Sequence, residues 1–132
     1  MKVLKVYQPG PVESPDVLCL EEVPLPEPGE REVLVRVSAC ALCHTDLHII
    51  EGELTGGKMP VIPGHQVIGR VEKLGSGCTR LRIGDKVGIP WLYRTCGKCR
   101  YCLQQEENLC EKAEFTGFHH DGGYAEALVV PE

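Results

Sequence analysis

The chain has 132 residues, 42% hydrophobic and 25% charged, a composition that suits one folded domain. It is too short for two full-sized domains. A net charge of −5 argues against nucleic acid, whose phosphates demand basic surface. No apolar run approaches the roughly 18 residues of a membrane span, and the opening MKVLKVYQPG lacks a secretion-signal core, so a cytoplasmic location away from membranes is expected.

Along the chain, Lys2–Tyr7 alternates charged and apolar residues and predicts a half-buried strand, followed by a second at Val17–Val23. The proline-rich PLPEPG at Pro24–Gly29 must turn. Glu32–Ser38 alternates clearly, with Val33, Val35 and Val37 on one face and Leu34, Arg36 and Ser38 on the other. Cys43–Ile50 is the best short-helix candidate, because Cys43, Asp46, Leu47 and Ile50 recur at helical spacing. Glu51–Gly64 reads as loop, Gln66–Leu74 and Lys86–Ile89 as strands separated by glycine turns, and Tyr124–Val130 as a last strand. Short strands punctuated by 15 glycines and 10 prolines predict a mostly β, partly open barrel with short helices.

Eight cysteines in a chain without an export signal suit metal binding better than disulfides, since cytosolic thiols stay reduced. Cys96, Cys99, Cys102 and Cys110 spell C-x2-C-x2-C-x7-C inside a segment, 95–111, that shows no sustained periodicity. Four thiolates at such spacing can surround one tetrahedral zinc and leave no open position, which predicts a structural site in a protruding lobe. An iron–sulfur cluster, free thiols or disulfides also fit the spacing. Upstream, CALCHTDLH (40–48) and PGHQVIGRV (63–71) place Cys43 and His65 where a fold can bring them together. A thiolate and an imidazole are half of a zinc site, but a lone cysteine more often only fills a core. Cys19, Cys40 and Cys78 read as packing residues, and His119 and His120 as loop residues without a role.

Five blocks, EVLVRVSACALCHTDLH, PGHQVIGRVEKLG, GDKVGIPWLY, CGKCRYCLQQEENLC and DGGYAEALVV, together resemble the N-terminal, GroES-like catalytic domain of zinc-dependent medium-chain alcohol dehydrogenases. The resemblance covers almost the whole chain, 1–132. It implies that Cys43 and His65 are ligands of a catalytic zinc, that Asp46 orients His65, that Thr45 meets the substrate alcohol, and that His48 ends a proton relay. It further implies that His44 faces the pyrophosphate of NAD or NADP and that Trp91 walls the substrate pocket. Small alcohols, aldehydes or ketones are the implied substrates, and the parent enzyme is expected to be a homo-oligomer.

This chain departs from the family pattern in carrying Gln66 where Glu is usual, and Gln105 where Gly is usual. It also contains no G-x-G-x-x-G nucleotide fingerprint and no third cysteine for the catalytic zinc. The expectation is therefore a catalytic domain lacking its nucleotide-binding partner and inactive alone. The rival reading is a non-catalytic zinc-ribbon binding module, which explains the cysteine lobe only.

Overall fold

The computed structural model describes all 132 residues. In chain order it contains β1 (Lys2–Lys5), β2 (Cys19–Glu22), β3 (Glu32–Cys40), α1 (His44–Glu51), β4 (Val67–Leu74), β5 (Lys86–Ile89), β6 (Leu92–Arg94), α2 (Arg100–Leu103), β7 (Glu114–Phe115) and β8 (Ala127–Pro131), with a 3₁₀ turn at Glu107–Leu109. Strand β1 pairs with β2, and β6 with β7. The central sheet runs β5-β4-β3-β8, antiparallel throughout. The sheets do not close on one another, which agrees with a mostly β, GroES-like open barrel.

Strand β3 is central because its valines are buried while its neighbours supply more of the same. Val33, Val35, Val67, Val71, Ile89, Leu128 and Val130 form one apolar cluster across the four strands. The sequence put Leu34 on the face opposite Val33 and Val35, yet Leu34 is as fully buried as they are. Both faces of this strand are covered at that point, and polarity returns at Arg36, which pairs with Glu72 through two hydrogen bonds.

A second cluster, Val6, Val17, Ile49, Ile50, Val61 and Phe118, anchors α1. The helix therefore turns inward a face rotated from the one its spacing suggested, keeping Asp46 and Ile50 and taking Ile49 in place of Leu47. Asp46, Ile49 and Ile50 are buried, Leu47 is only partly so, and Cys43 is the N-cap rather than a residue of the helix. Two adjacent isoleucines straddle the inward direction, about 100° apart, and burial of each is worth roughly 1.5–3 kcal/mol. Gly52 ends the helix in the left-handed conformation (φ 81°), and its amide bonds back to the last carbonyls.

The strand expected at Tyr124–Val130 begins only at Ala127. Residues 122–124 instead lie against 62–64: the Gly122 amide donates to Ile62 (2.6 Å), Gly123 to Gly64 (2.8 Å) and Tyr124 to Pro63 (2.9 Å). This lacing holds the loop that carries His65. Strands β6 and β7 have too few residues for any period to announce them.

Candidate metal centres and the family of the chain

Asp46 is placed by helix geometry three residues after the N-cap. Its Oδ2 accepts the Cys43 amide at 2.9 Å, and its Oδ1 accepts the Gly64 amide at 3.1 Å. One fully buried carboxylate thus satisfies a free amide of the first helical turn and ties the helix to the loop before His65. Gly64 must be glycine twice over. Its φ is 97°, and a Cβ there would lie 2.7 Å from the Tyr124 ring and 2.9 Å from the Cys40 sulfur.

His65, only 4% exposed, points Nε2 at Cys43 Sγ (3.1 Å) and Nδ1 toward Asp46 Oδ1 (3.2 Å). The Nδ1 contact is close but misaligned, so it counts as an ionic contact and not as a formed hydrogen bond. Cys43, Asp46 and His65 make one cluster with ligand atoms within 4.8 Å of one another. Burial opposes ionisation of Cys43, but hydrogen bonds from Thr45 and the nearby His65 outweigh it and hold the thiol below its ordinary range. Burial likewise opposes ionisation of Asp46, and contacts with His65 and two amides overcome it. Asp46 in turn raises the pKa of His65 above its ordinary value, against the effect of burial.

The cluster opens onto a cleft of ≈ 600 Å³ lined also by Thr45, His48, Gln66 and Trp91. Trp91 meets the His65 ring edge-on at 4.9 Å and stacks flat on Phe115 at 4.7 Å, so its position is set from both sides. His48 is half-exposed and contacts the Glu53 carboxylate through Nδ1. His44 is not part of this lining; it is exposed and lies against the His48 ring at 4.6 Å. Leu54 and Pro90 complete the apolar wall. Neither was singled out by sequence, because both sit in loops without any period.

The second cluster is the lobe. Cys96, Cys99, Cys102 and Cys110 converge with ligand atoms within 4.8 Å of one another. The Cys96–Cys102 and Cys99–Cys102 sulfur separations are 4.0 and 3.6 Å. A tetrahedral ion with bonds of ~2.3 Å needs sulfurs about 3.8 Å apart, so the cage fits such an ion. Backbone amides already point at the sulfurs: Cys96 and Lys112 donate to Cys110 Sγ, and Cys99 donates to Cys96 Sγ, each at 3.4 Å. The amides of Lys98 and Cys99 hold the Cys96 thiol down to about 6, whereas burial pushes Cys102 up to about 11. Four crowded thiols cannot all ionise without a cation among them. No cysteine of the chain is in a disulfide.

Residues 29–132 match the family model described as the alcohol dehydrogenase GroES-like domain. The chain belongs to this family. It is 51% identical over 110 residues to an alcohol dehydrogenase of Geobacillus stearothermophilus, covering 83% of this chain and 33% of that protein. It is 45% identical over 138 aligned positions to a probable alcohol dehydrogenase of Mycobacterium tuberculosis, covering 99% and 39%. Among solved structures, the cobalt- and zinc-bound thermostable alcohol dehydrogenase from Pyrobaculum aerophilum superposes with a TM-score of 0.89 at 35% identity, over 99% of this chain and 39% of that one. A structure described as a putative zinc-binding dehydrogenase from Sinorhizobium meliloti, bound to NADP, does so with 0.86 at 33%, over 98% and 36%. The chain thus spans between a third and two fifths of the length of these relatives. As an alcohol dehydrogenase GroES-like domain it has no helix long and apolar enough to cross a membrane.

The two histidines left without a role do have local partners. His120 stacks on Tyr93 at 3.8 Å and contacts Glu114, which also receives two hydrogen bonds from Arg94. His119 Nδ1 accepts the Phe115 amide at 3.1 Å. Cys40 and Cys78 pack against the central-sheet cluster, as expected of small apolar residues.

Proposed function

We propose that this chain, residues 1–132, is the zinc-holding catalytic domain of an alcohol dehydrogenase that interconverts small alcohols with aldehydes or ketones, using NAD or NADP. The observation that carries the reading is the convergence of Cys43 Sγ and His65 Nε2 at 3.1 Å on the floor of an open cleft, backed by Asp46. Cys43 and His65 would hold a catalytic zinc, and Cys96, Cys99, Cys102 and Cys110 a structural one. A zinc held by Cys43 and His65 supplies a Lewis acid beside the substrate oxygen, and the nicotinamide supplies the hydride acceptor.

The chain's own residues prepare that chemistry. Asp46 fixes the ring direction and tautomer of His65, as carboxylates behind metal-bound histidines do. Thr45, on the rim of the cleft, would accept a hydrogen bond from the substrate hydroxyl at Oγ1 and, as that proton moves to it, release its own hydroxyl proton toward His48 and solvent. His48 passes the proton outward; its Nδ1 is held by Glu53, and its half-exposed ring reaches solvent. Trp91 excludes water and bounds the substrate on one side. His44, exposed beside His48, is available to a cofactor phosphate. Eight unbridged cysteines suit a reducing compartment such as the cytoplasm. A zinc-ribbon binding module would account for the lobe and leave Cys43, Asp46 and His65 without a purpose.

Asp46 is turned toward the Cys43 and Gly64 amides behind His65, so Cys43 and His65 are the two ligands expected to face the cleft, against four sulfurs in the lobe. Anomalous scattering at the zinc edge should therefore give a strong peak among Cys96, Cys99, Cys102 and Cys110. A weaker one is expected between Cys43 and His65. The 132-residue chain should reduce neither NAD nor NADP with alcohols. A Cys43–His65 position that takes no zinc at millimolar concentration would defeat the catalytic reading. Measurable cofactor reduction by this chain would defeat the claim that a further domain is needed.

A further inference from the structure

Helix α1 carries a pair of side chains that neither metal cluster uses. His44 and His48 are four residues apart, about one turn, so they rise on the same face of the helix. Their ring centres lie 4.6 Å apart with the planes inclined at 54°, so the rings are tilted together and not stacked. His44 is exposed and His48 half-exposed. Glu53 fixes the second ring. Gly52 turns the chain back in the left-handed conformation, and the Glu53 amide then donates to the His48 carbonyl at 2.9 Å. That return brings the Glu53 carboxylate onto His48 Nδ1. A neutral imidazole that donates its Nδ1 proton to a carboxylate keeps its lone pair on Nε2. Carboxylates stand behind metal-bound histidines in this way.

The separation of the rings suits an ion between them. An ion bonded at ~2.1 Å to a ring nitrogen lies ~3.2 Å from that ring's centre, so two imidazoles meeting it at roughly 90–109° stand about 4.5–5.2 Å apart. From this geometry we infer that His44 and His48 form a further metal site, an exposed two-histidine chelate for a divalent transition ion such as zinc, nickel or copper, with Glu53 orienting His48 and water completing the shell. Imidazole nitrogen selects such ions over magnesium and calcium, which prefer oxygen. Histidines four residues apart on one helix face hold zinc by the same geometry. The site stands at the mouth of the cleft, because His48 also lines the cleft. An ion on His48 Nε2 takes the lone pair that the proposed proton path needs, so occupancy would close that path. This consequence rests on the proposed catalytic reading; the site does not.

Zinc is supplied first, to satisfy the clusters that contain sulfur, and the excess is removed. Nickel is then titrated into the chain, with binding read by calorimetry and by paramagnetic broadening of labelled histidine ring signals. The His44 and His48 signals should broaden first, ahead of those of His119 and His120. His44→Ala and His48→Ala keep good helix formers in α1 and should each weaken nickel binding by at least about 10-fold, because a second ligand fixed beside the first acts at high effective concentration. Glu53→Gln keeps the turn and removes the charge that holds His48 Nδ1, so it should weaken binding by roughly 3- to 10-fold, less than a buried carboxylate would. Magnesium in excess should not compete. A nickel affinity unchanged in His44→Ala, or lowered in only one of the two histidine variants, would overturn the inference, since a chelate needs both rings. Wild-type His44 and His48 signals left sharp at saturation would overturn it without any variant. Nickel held by His44 and His48 in a chain whose Cys43 and His65 take no zinc would defeat the catalytic reading alone and leave this site standing.

Discussion

The two clusters of metal-type ligands are built in opposite ways. The lobe assembles four sulfurs from a single stretch of 15 residues, Cys96–Cys110, with backbone amides aimed at them and little apolar burial around them. The cleft cluster assembles one sulfur, one imidazole and one carboxylate from two segments, and every one of its positions depends on packing elsewhere. Asp46 needs α1, α1 needs Ile49 and Ile50 in the core, and His65 needs the loop laced to residues 122–124. A local chelate is complete once its turns form. A site spread over the fold inherits its precision from the fold, and can leave ligand positions open for chemistry.

That contrast predicts where damage will spread. The largest effect is expected from Cys102→Ser, which removes one of the four converging lobe thiols. If structural zinc contributes ~10–16 kcal/mol in all, the loss is on the order of 3 kcal/mol. Hydrogen exchange over 96–110 should speed up while the amides of α1 stay protected. Loss of protection in both regions would show that the lobe and the cleft are not independent.

Asp46→Asn strikes the other cluster. It replaces an acceptor of two amides by a group that can accept from only one, and it loosens His65. Metal affinity at Cys43 and His65 should fall by roughly 10- to 100-fold with lobe zinc untouched, as read by competition with a chelator. Equal loss at both positions would mean that Asp46 acts on the fold as a whole.

The same pair sets a pH signature. His65 has a raised folded pKa, so its contribution to stability is complete below 6.5, the value for the free side chain, and is lost as pH rises through the folded value. Asp46 has a lowered folded pKa, so its contribution is present above 3.8 and is lost as pH falls through the folded value. The stability contributed by this pair should be largest between these limits, read in denaturant titrations of the metal-free chain as the difference between wild type and Asp46→Asn, because the Cys96 thiol held down to about 6 adds stability of its own as pH rises. Metal held by Cys43 and His65 needs both groups deprotonated, so its binding should strengthen as pH rises, opposite to the His65 contribution. A difference between wild type and Asp46→Asn that grows from pH 6 to pH 8 would contradict the Asp46–His65 pairing.

The smallest effect is expected in the lobe's turn. Gln105 stands where the family usually has glycine and adopts φ 64°, the left-handed conformation that glycine takes without cost. Gln105→Gly should stabilise the lobe by up to about 1 kcal/mol, detectable as slower exchange of the amides that follow the turn. No change there would mean that the flexible glycine loses in the unfolded chain what it gains in the folded one.

Local pattern made several elements legible. Strand β5 falls on Lys86–Ile89 as its alternation indicated, and β3 and β4 are recovered within two residues at their ends. The inward face of α1 was misjudged because period alone treats Leu47 as a better core residue than Ile49. The choice was made by Val6, Val17, Val61 and Phe118, which arrive from distant parts of the chain. The first residues of the last predicted strand follow the loop at 62–64 instead, for a similar reason: a tertiary partner took their amides before a sheet could.

What the sequence by itself determined is the chemistry that depends on close spacing. Cys96, Cys99, Cys102 and Cys110 are near enough along the chain that a few turns suffice to gather them, and the five blocks that mark the family are contiguous runs. Only the tertiary structure decided that Cys43 Sγ and His65 Nε2, 22 residues apart, stand at 3.1 Å. It alone placed Trp91 edge-on to that imidazole and set Asp46 behind it. Those contacts follow from strand register and from the burial of two isoleucines, which are settled by the whole core at once and have no signature in any short window of residues.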